Sequence, residues 1–305
     1  MLVIGNINEN ARDPHIVYYN GKYYMTYSYE DKLFIKYASS LELLKDAKGE
    51  VVYTPDKNDE YKVNIWAPEL HIINDVCYIY VTIGSCVNSV MEHMFVLCNN
   101  SNDPLKEYKN VAYLNNGDDG WAIDGSLIKI NNELYYAYSS MGKAYDLTFQ
   151  NLYIVKMKSP TEIEGPRHLL SRATYPWELY GANGMGRPFV NEGPFAVYHN
   201  GLVKVVYSAS GCWTNNYCLA VLTYKGSGDP LDRKNWIKED EPIFSKKDGY
   251  LGPGHACFIQ NDPSGTEYIV FHAYDDDCIY GQKYVSGYVL PIKWVDNNIK
   301  VVLDK

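Results

Sequence analysis

The stretch RDPHIVYYNGKYYMTYS, from Arg12 to Ser28, decides the fold. Its segments HIVYY and KYYMTYS are rich in β-branched and aromatic residues, which favour strands. Between them stands Asn20-Gly21, a dipeptide that strongly predicts a two-residue hairpin turn. An acidic residue and a proline, Asp13 and Pro14, precede the first strand. The stretch therefore predicts a β-hairpin that the chain enters through an Asp-Pro pair.

The same layout returns four more times along the chain, which is typical of a repeat architecture. The further copies are APELHIINDVCYIYVTIG (67–84), DGSLIKINNELYYAYSS (124–140), EGPFAVYHNGLVKVVYSAS (192–210) and GPGHACFIQNDPSGTEYIVFHAY (252–274). Their turns lie about fifty to seventy residues apart, an interval that fits one four-stranded blade of a β-propeller with its loops. We therefore predict one domain over residues 1–305. It is all-β, a five-bladed β-propeller with four-stranded antiparallel blades around a central channel.

Composition supports a packed globular chain and excludes some partners. Hydrophobic residues make up 46% and charged residues 21% of the 305 residues. The 30 tyrosines suit half-buried strands, and they also suit surfaces that stack on sugar rings. The formal net charge of −9 argues against nucleic acid and anionic membranes, because both attract basic patches. No apolar run approaches the ~18 residues of a membrane-spanning helix.

The terminus and the cysteines bear on location. MLVIGNINENARDP lacks a basic region followed by an apolar core, so it does not resemble a secretory signal. We expect a cytoplasmic protein, or a secreted one if a signal has been removed. The seven cysteines are scattered without a CxxC pair, which predicts reduced thiols and leaves a Cys212–Cys218 disulfide open.

Three of the five repeats open with a carboxylate seven or eight residues before the turn: Asp13, Asp124 and Glu192. In a propeller the first strand of each blade lines the central channel, so we expect these acids to converge. Like charges packed together raise at least one carboxyl pKa, which keeps that acid protonated near neutral pH. One protonated acid and one ionised base are the groups that hydrolyse a glycosidic bond.

At this point the chain resembles glycoside hydrolase family 43, the inverting arabinofuranosidases, xylosidases and arabinanases on five-bladed propellers. The resemblance covers nearly the whole chain and is closest to exo-acting α-L-arabinofuranosidases. It is carried by RDP (12–14), WAPEL (66–70), AIDG (122–125), NEGP (191–194), SASGCWT (208–214) and GPGH (252–255).

The resemblance implies a catalytic domain and a role for each acid. Asp13 would be the general base that activates a water, and Glu192 the general acid that protonates the leaving oxygen. Asp124 would tune the pKa of the acid and help to orient it. No cofactor would take part in the chemistry.

The other candidate residues lie near the same repeat openings. Trp66, Trp121, Trp213 and Arg12 are candidates for substrate binding, although Trp66 could equally pack between blades and Arg12 could sit in an exposed turn. The resemblance also implies His255 as a ligand of a structural Ca²⁺ or Na⁺ ion on the propeller axis. The alternative for His255 is a hydrogen bond to the acids themselves.

Several functions are compatible with this sequence. The first is release of terminal α-L-arabinofuranosyl residues from arabinan or arabino-oligosaccharides. A β-xylosidase or an endo-arabinanase would use the same acids with a different pocket, because the fold alone does not set the substrate. A non-catalytic sugar-binding propeller is the third reading, and it would be expected to lack one of the three acids. The sequence leaves the linkage, the substrate length and the oligomeric state open.

Overall fold

A computed structural model describes residues 2–5, 12–88, 91–114, 120–141, 148–183, 187–274 and 285–303. These residues form β-strands joined by turns and by 3-10 helices of three to five residues. The described part of the chain contains no helix long and apolar enough to cross a membrane. The prediction of an all-β chain is therefore confirmed.

The strands are named here in chain order. They are β1 Leu2–Gly5, β2 His15–Tyr19, β3 Lys22–Tyr29, β4 Lys32–Ala38, β5 Glu50–Tyr53, β6 Tyr61–Ile73, β7 Val76–Ser85, β8 Glu92–Cys98, β9 Lys109–Tyr113, β10 Ala122–Ile130, β11 Glu133–Met141, β12 Phe149–Ser159, β13 Glu162–Ser171, β14 Phe189–His199, β15 Leu202–Ala209, β16 Cys218–Tyr224, β17 Trp236–Lys238, β18 Leu251–Ile259, β19 Glu267–Tyr274, β20 Val285–Val295 and β21 Asn298–Val301. The 3-10 helices are Glu42–Asp46, Pro176–Glu178, Arg233–Asn235 and Lys246–Asp248.

Strands that follow one another in sequence pair with one another in space. Strands β2–β5 form one four-stranded sheet and β6–β9 a second. Strands β18–β21 form a third sheet, to which the N-terminal strand β1 adds by antiparallel pairing with β20. Since β1 comes from the start of the chain and β20 from its end, this pairing joins the two ends of the chain in one sheet.

The remaining strands, β10–β17, form one eight-stranded sheet. Within it, β10–β13 and β14–β17 are two antiparallel groups of four. They meet through a short parallel contact in which Phe149 pairs with Phe189 and Gln150 with Val190. Counted by hydrogen bonding, the described residues therefore form four sheets, and this count does not confirm the predicted five blades.

The predicted hairpin turns are confirmed, and their residues explain them. Both central residues have positive φ at Asn20-Gly21, Asn74-Asp75, Asn131-Asn132 and Asn200-Gly201. Two successive positive φ values define the type I′ turn, which matches the twist of the flanking strands and favours Asn, Asp and Gly. These residue types therefore set the register of the hairpins.

The buried apolar side chains form clusters between neighbouring groups of strands. Members of these clusters include Leu33 with Val81, Tyr80 with Tyr136, Ile154 with Val205, Val206 with Phe271, and Met25 with Val270. The last cluster joins the first sheet, β2–β5, to the sheet that contains β18–β21. The strand groups therefore close into a ring. The described cysteines are all free, so Cys212 and Cys218 form no disulfide.

Candidate active site

Five equivalent backbone positions line the centre of this ring, and all five have positive φ. They are Asp13, Ala67, Asp124, Gly193 and His255, with φ between 45° and 57°. In β6, β10, β14 and β18 the pairing register shifts at this point, which marks a β-bulge. Bulges bend a strand and redirect its side chains, and they are frequent beside active sites. The bulges therefore redirect the side chains at the openings of these repeats.

The three predicted acids do not all occupy the same repeat position. Asp13 and Asp124 stand at the positive-φ position, whereas Glu192 stands one residue before its equivalent, Gly193. His255 holds the matching position in the fifth repeat. The count from the turn agrees with this, because Asp13 and Asp124 stand seven residues before Asn20 and Asn131, whereas Glu192 stands eight residues before Asn200. The prediction had treated the two counts as one position.

One cavity of about 360 Å³ gathers all eight predicted site residues. Its lining consists of Arg12, Asp13, Trp66, Trp121, Ile123, Asp124, Gln150, Glu192, Cys212, Trp213, Tyr217 and His255. Residues from every repeat therefore contribute to one pocket, although their roles remain predictions. Gln150 and Tyr217 are additions that the sequence did not indicate.

Asp13 is held in its ionised form. Its backbone N–H donates to Nδ1 of His272 at 3.1 Å, and its Oδ1 lies 3.1 Å from Nδ1 of His255. Burial alone would raise the pKa of Asp13, but the charges of His255 and Arg12 act against it and lower the pKa. The pKa of Asp13 therefore lies well below its ordinary value, so the carboxyl group is ionised, which is the state in which it can accept a proton.

Glu192 is buried, and its pKa is shifted in the opposite direction from that of Asp13. Burial raises the pKa of its carboxyl group above the ordinary value, even though hydrogen bonds from Tyr217 and Gln150 and the charge of His255 act to lower it. A raised pKa keeps a carboxylic acid protonated, which suits a proton donor.

Asp124 is also buried, and its pKa is raised. Burial is the main cause, and the charges of Glu192 and Asp13 add to it against the attraction of His255. Its backbone N–H donates to Oγ1 of Thr82 at 3.2 Å. Asp124 is therefore electrostatically coupled to both other acids, as the predicted tuning role requires.

His255 lies among the acids. Its Nδ1 is 3.1 Å from Oδ1 of Asp13 and 3.8 Å from Oδ2 of Asp124. Burial would lower its pKa, but the surrounding carboxyl groups raise it. Within the described residues, no set of three metal-ligating side chains includes His255. An axial ion at His255 therefore stays a prediction, and no chemical step below depends on it.

One other group has the side chains of a metal site, but its hydrogen bonds do not suit a metal. Ligand-type atoms of His15, Glu69 and His71 lie within 4.8 Å of one another. Burial lowers the pKa of His15 to about 4, so this imidazole is neutral near pH 7. Its Nδ1 accepts the Leu70 N–H at 3.3 Å, which leaves the ring proton on Nε2. A protonated nitrogen cannot ligate a metal, so we interpret the group as a hydrogen-bonded cluster.

Three tryptophans form walls of the pocket. The indole N–H of Trp121 donates to Oε2 of Glu92 at 2.6 Å, and that of Trp213 donates to the Gly181 carbonyl at 3.0 Å. Trp66 is 39% exposed, so it is not a core residue packed between sheets. Aromatic faces of this kind can bind the apolar side of a sugar ring.

The comparisons with known proteins agree on the family. The model of the glycosyl hydrolases family 43 matches residues 6–298. An extracellular exo-alpha-(1->5)-L-arabinofuranosidase from Streptomyces avermitilis is 30% identical over 270 residues, which cover 87% of this chain and 54% of that relative. The chain thus spans about half the length of this curated relative.

Solved structures show the same fold. An alpha-L-arabinofuranosidase from Lactobacillus brevis is similar with a TM-score of 0.84 at 24% identity, over 98% of this chain and 95% of that one. An endo-arabinase from Bacteroides thetaiotaomicron is similar with a TM-score of 0.73 at 19% identity, over 94% and 95%. Identities this low establish only the fold, a β-propeller. Together with the family model, which spans almost the whole chain, they lead to one conclusion: the chain belongs to family 43 of the glycosyl hydrolases.

Proposed function

We propose that this chain hydrolyses terminal α-L-arabinofuranosyl residues from arabinan or arabino-oligosaccharides, with inversion at the anomeric carbon. The observation that carries the proposal is that Asp13 and Glu192 share one pocket while their surroundings shift their pKa values in opposite directions. One protonated and one ionised carboxyl group can act as the acid and the base of glycoside hydrolysis. The pKa of Asp124 is raised as well, and the NEGP motif selects Glu192 as the acid.

We also propose that the ring has five blades. The eight-stranded sheet would then count as two blades, β10–β13 and β14–β17, which the short contact between β12 and β14 joins. The apolar clusters support this count, because one of them lies between these two groups as the others lie between separate sheets.

In the proposed reaction, Glu192 gives its carboxyl proton to the glycosidic oxygen while the bond from that oxygen to the anomeric carbon breaks. A water attacks the anomeric carbon from the other face and loses a proton to Asp13. The products are a free pentose and the shortened sugar, and the two carboxyl groups have exchanged protonation states. Solvent then returns both to their starting forms. Inversion follows because a single displacement occurs.

The remaining pocket residues would bind and orient the sugar. His255 would keep Asp13 ionised. Asp124 would take the tuning role, since the charge of Glu192 acts on its pKa in the same pocket. Trp66, Trp121, Trp213 and Arg12 would contact the substrate. The volume of about 360 Å³ is near the lower end of the range for ligand pockets, which supports a short terminal unit over a long polysaccharide chain.

The chief alternatives are a β-xylosidase and an endo-arabinanase. The similar fold of an endo-arabinase does not choose between them, because function depends on the site. The exo-arabinofuranosidase at 30% identity favours the arabinose-specific reading. That relative is an extracellular enzyme, which supports the secreted alternative for this chain over the cytoplasmic one. A sugar-binding propeller without catalysis is disfavoured, since all three acids line the pocket.

The test compares 4-nitrophenyl α-L-arabinofuranoside, 4-nitrophenyl β-D-xylopyranoside and linear arabinan as substrates. We expect nitrophenol from the arabinofuranoside and only monomeric arabinose from arabinan. Proton NMR of the first product formed should show the inverted anomer. Activity on the xyloside alone would contradict the choice of sugar, and internal cleavage of arabinan would contradict the exo mode.

A further inference from the structure

Both oxygens of the Glu192 carboxyl group are held by buried side chains. The hydroxyl of Tyr217 donates to Oε1 at 2.8 Å, and the carboxamide nitrogen of Gln150 donates to Oε2 at 2.7 Å. Tyr217 is 1% exposed and Gln150 is 3% exposed, so water does not compete freely for these contacts. The carboxyl group therefore has one defined orientation in the pocket.

Each donor is itself fixed by neighbours. The carboxamide of Gln150, in β12, also donates to Oγ of Ser139 at 3.0 Å, and that hydroxyl donates in turn to the Asn191 carbonyl at 2.8 Å. This second bond ties Gln150 to the residue directly before Glu192.

Tyr217 is fixed by packing. Its ring stacks on His272 with a centroid distance of 5.8 Å and an interplanar angle of 12°. The ring also lies against Gly254, where a Cβ atom would collide with it. The glycine before His255 in the GPGH segment therefore makes room for Tyr217, and both donors are in place before a substrate binds.

The two hydrogen bonds change in strength during proton transfer. When the O–H bond of Glu192 breaks and the proton joins the leaving oxygen, the negative charge stays on the Glu192 carboxylate. Hydrogen bonds to an ionised acceptor are roughly twice as strong as bonds between neutral groups. Interactions that strengthen as the transition state forms are those that accelerate a reaction.

We propose that Tyr217 and Gln150 are positioning residues of this enzyme, which orient the carboxyl group of Glu192 and stabilise the negative charge left on it by proton transfer. The inference rests on the proposed function of Glu192 as the general acid. It adds two residues, from β12 and from the turn before β16, to the proton-donating machinery.

The test depends on how much protonation a leaving group needs. Phenyl α-L-arabinofuranoside requires protonation of its leaving oxygen more than the 4-nitrophenyl glycoside does, because phenolate is the more basic leaving group. For Tyr217→Phe we expect kcat/KM on the phenyl substrate to fall about 10–100-fold, and the fall on the 4-nitrophenyl substrate to be several times smaller. Loss of a donor to the carboxylate should also move the alkaline limb of the pH profile to higher pH.

Gln150→Leu removes the other donor and should give the same two signatures. The matched control is Tyr207→Phe, because the Tyr207 hydroxyl also donates to a buried carboxylate, Oε1 of Glu178 at 3.1 Å, but does not contact Glu192. This control should lower the melting temperature without any leaving-group dependence or displacement of the alkaline limb.

Two outcomes separate this inference from the function on which it rests. Wild-type protein that hydrolyses neither arabinofuranoside would contradict the proposed function and the inference with it. The inference alone would be overturned if the wild-type protein is active but both variants lose equal activity on the two substrates and keep the alkaline limb in place. Unchanged activity of both variants would overturn it as well.

Discussion

Nδ1 of His255 lies 3.1 Å from Oδ1 of Asp13, so an imidazolium and a carboxylate form an ion pair inside the pocket. Burial opposes the charge of each partner, raising the pKa of Asp13 and lowering that of His255. Their mutual attraction reverses both tendencies, because opposite charges at this distance favour the ionised forms. The proposed base therefore stays ionised through a neighbour supplied by the last sheet.

The first prediction concerns this pair. Replacing His255 by Asn removes the cation, and the pKa of Asp13 should then rise toward its ordinary value, because burial remains and only the charge of Arg12 still opposes it. Since the base must be ionised to work, the acidic limb of the kcat/KM profile should move to higher pH. Asn tolerates the positive φ of 46° at this position, so the fold should be retained.

The matched control for this substitution is His199→Asn. His199 stacks on Trp294 and has no contact with Asp13. The His199→Asn substitution should leave the acidic limb of the kcat/KM profile in place. An unmoved acidic limb in His255→Asn would show that the imidazolium does not set the ionisation of the base.

A second prediction is the shape of the wild-type pH profile. Asp13 has a pKa below its ordinary value and must be ionised, so activity should persist to acidic pH. Glu192 has a pKa above its ordinary value and must be protonated. Activity should therefore decline only at a pH above the ordinary pKa of a glutamate. The expected profile of kcat/KM is a broad bell, measured with 4-nitrophenyl α-L-arabinofuranoside. A narrow optimum confined to pH values below the ordinary carboxyl pKa would contradict these assignments.

The third prediction tests the acid itself. Glu192→Gln keeps the shape of the side chain but has no proton to give, so kcat on arabino-oligosaccharides should fall by about 10²–10⁴-fold. Substrate binding and the melting temperature should change little, and both are measured by calorimetry. Retention of near wild-type turnover would remove Glu192 from its proposed role.

The fourth prediction concerns the pocket wall. Trp121 is held by its bond to Glu92, and Trp121→Phe should raise KM for arabino-oligosaccharides by about tenfold while kcat changes less. Trp294→Phe is the control, since the Trp294 indole also donates to a glutamate, Glu267 at 3.1 Å, but does not line the pocket. Equal KM values in the two variants would argue against contact between Trp121 and substrate.

The fifth prediction is one of stability. A Cβ atom at Gly125 would collide with the hydroxyl of Tyr136, whereas a Cβ atom at Gly120 would meet nothing within 4 Å. Gly125→Ala should therefore lower the free energy of unfolding by about 1–3 kcal/mol, as overpacking of a core does. Gly120→Ala should change it by less than about 0.5 kcal/mol. Urea unfolding of the two variants would measure the difference.

The hairpins were predictable because their turn residues are specific. Asn20-Gly21 and Asn200-Gly201 adopt the two positive φ values that only a few residue types accept readily, so sequence and conformation are closely linked there. The motifs at the repeat openings were informative for another reason, because they occur in the order found in a known family. They led to all eight predicted residues of one pocket.

Two features of the site could not be read from the sequence. The register shifts at the repeat openings, as in β10 and β14, have no signature in the residue types, so the sequence could not show how the backbone directs these side chains. Tyr217 is one of 30 tyrosines, and nothing in its neighbours distinguishes a hydrogen bond to Glu192 from strand packing. Only Gly254, which gives its ring room, carried an indirect signal.

The positive φ shared by the five central positions has a consequence for engineering. At Asp13, Ala67, Asp124 and His255 the backbone itself restricts the side chain, because β-branched residues accept this conformation poorly whatever their chemistry. A saturation library selected for solubility alone should therefore retain Asn, Asp, Gly and His at these sites and lose Val, Ile and Thr. New chemistry at these positions would therefore rely on a few residue types, which already include the natural Asp and His.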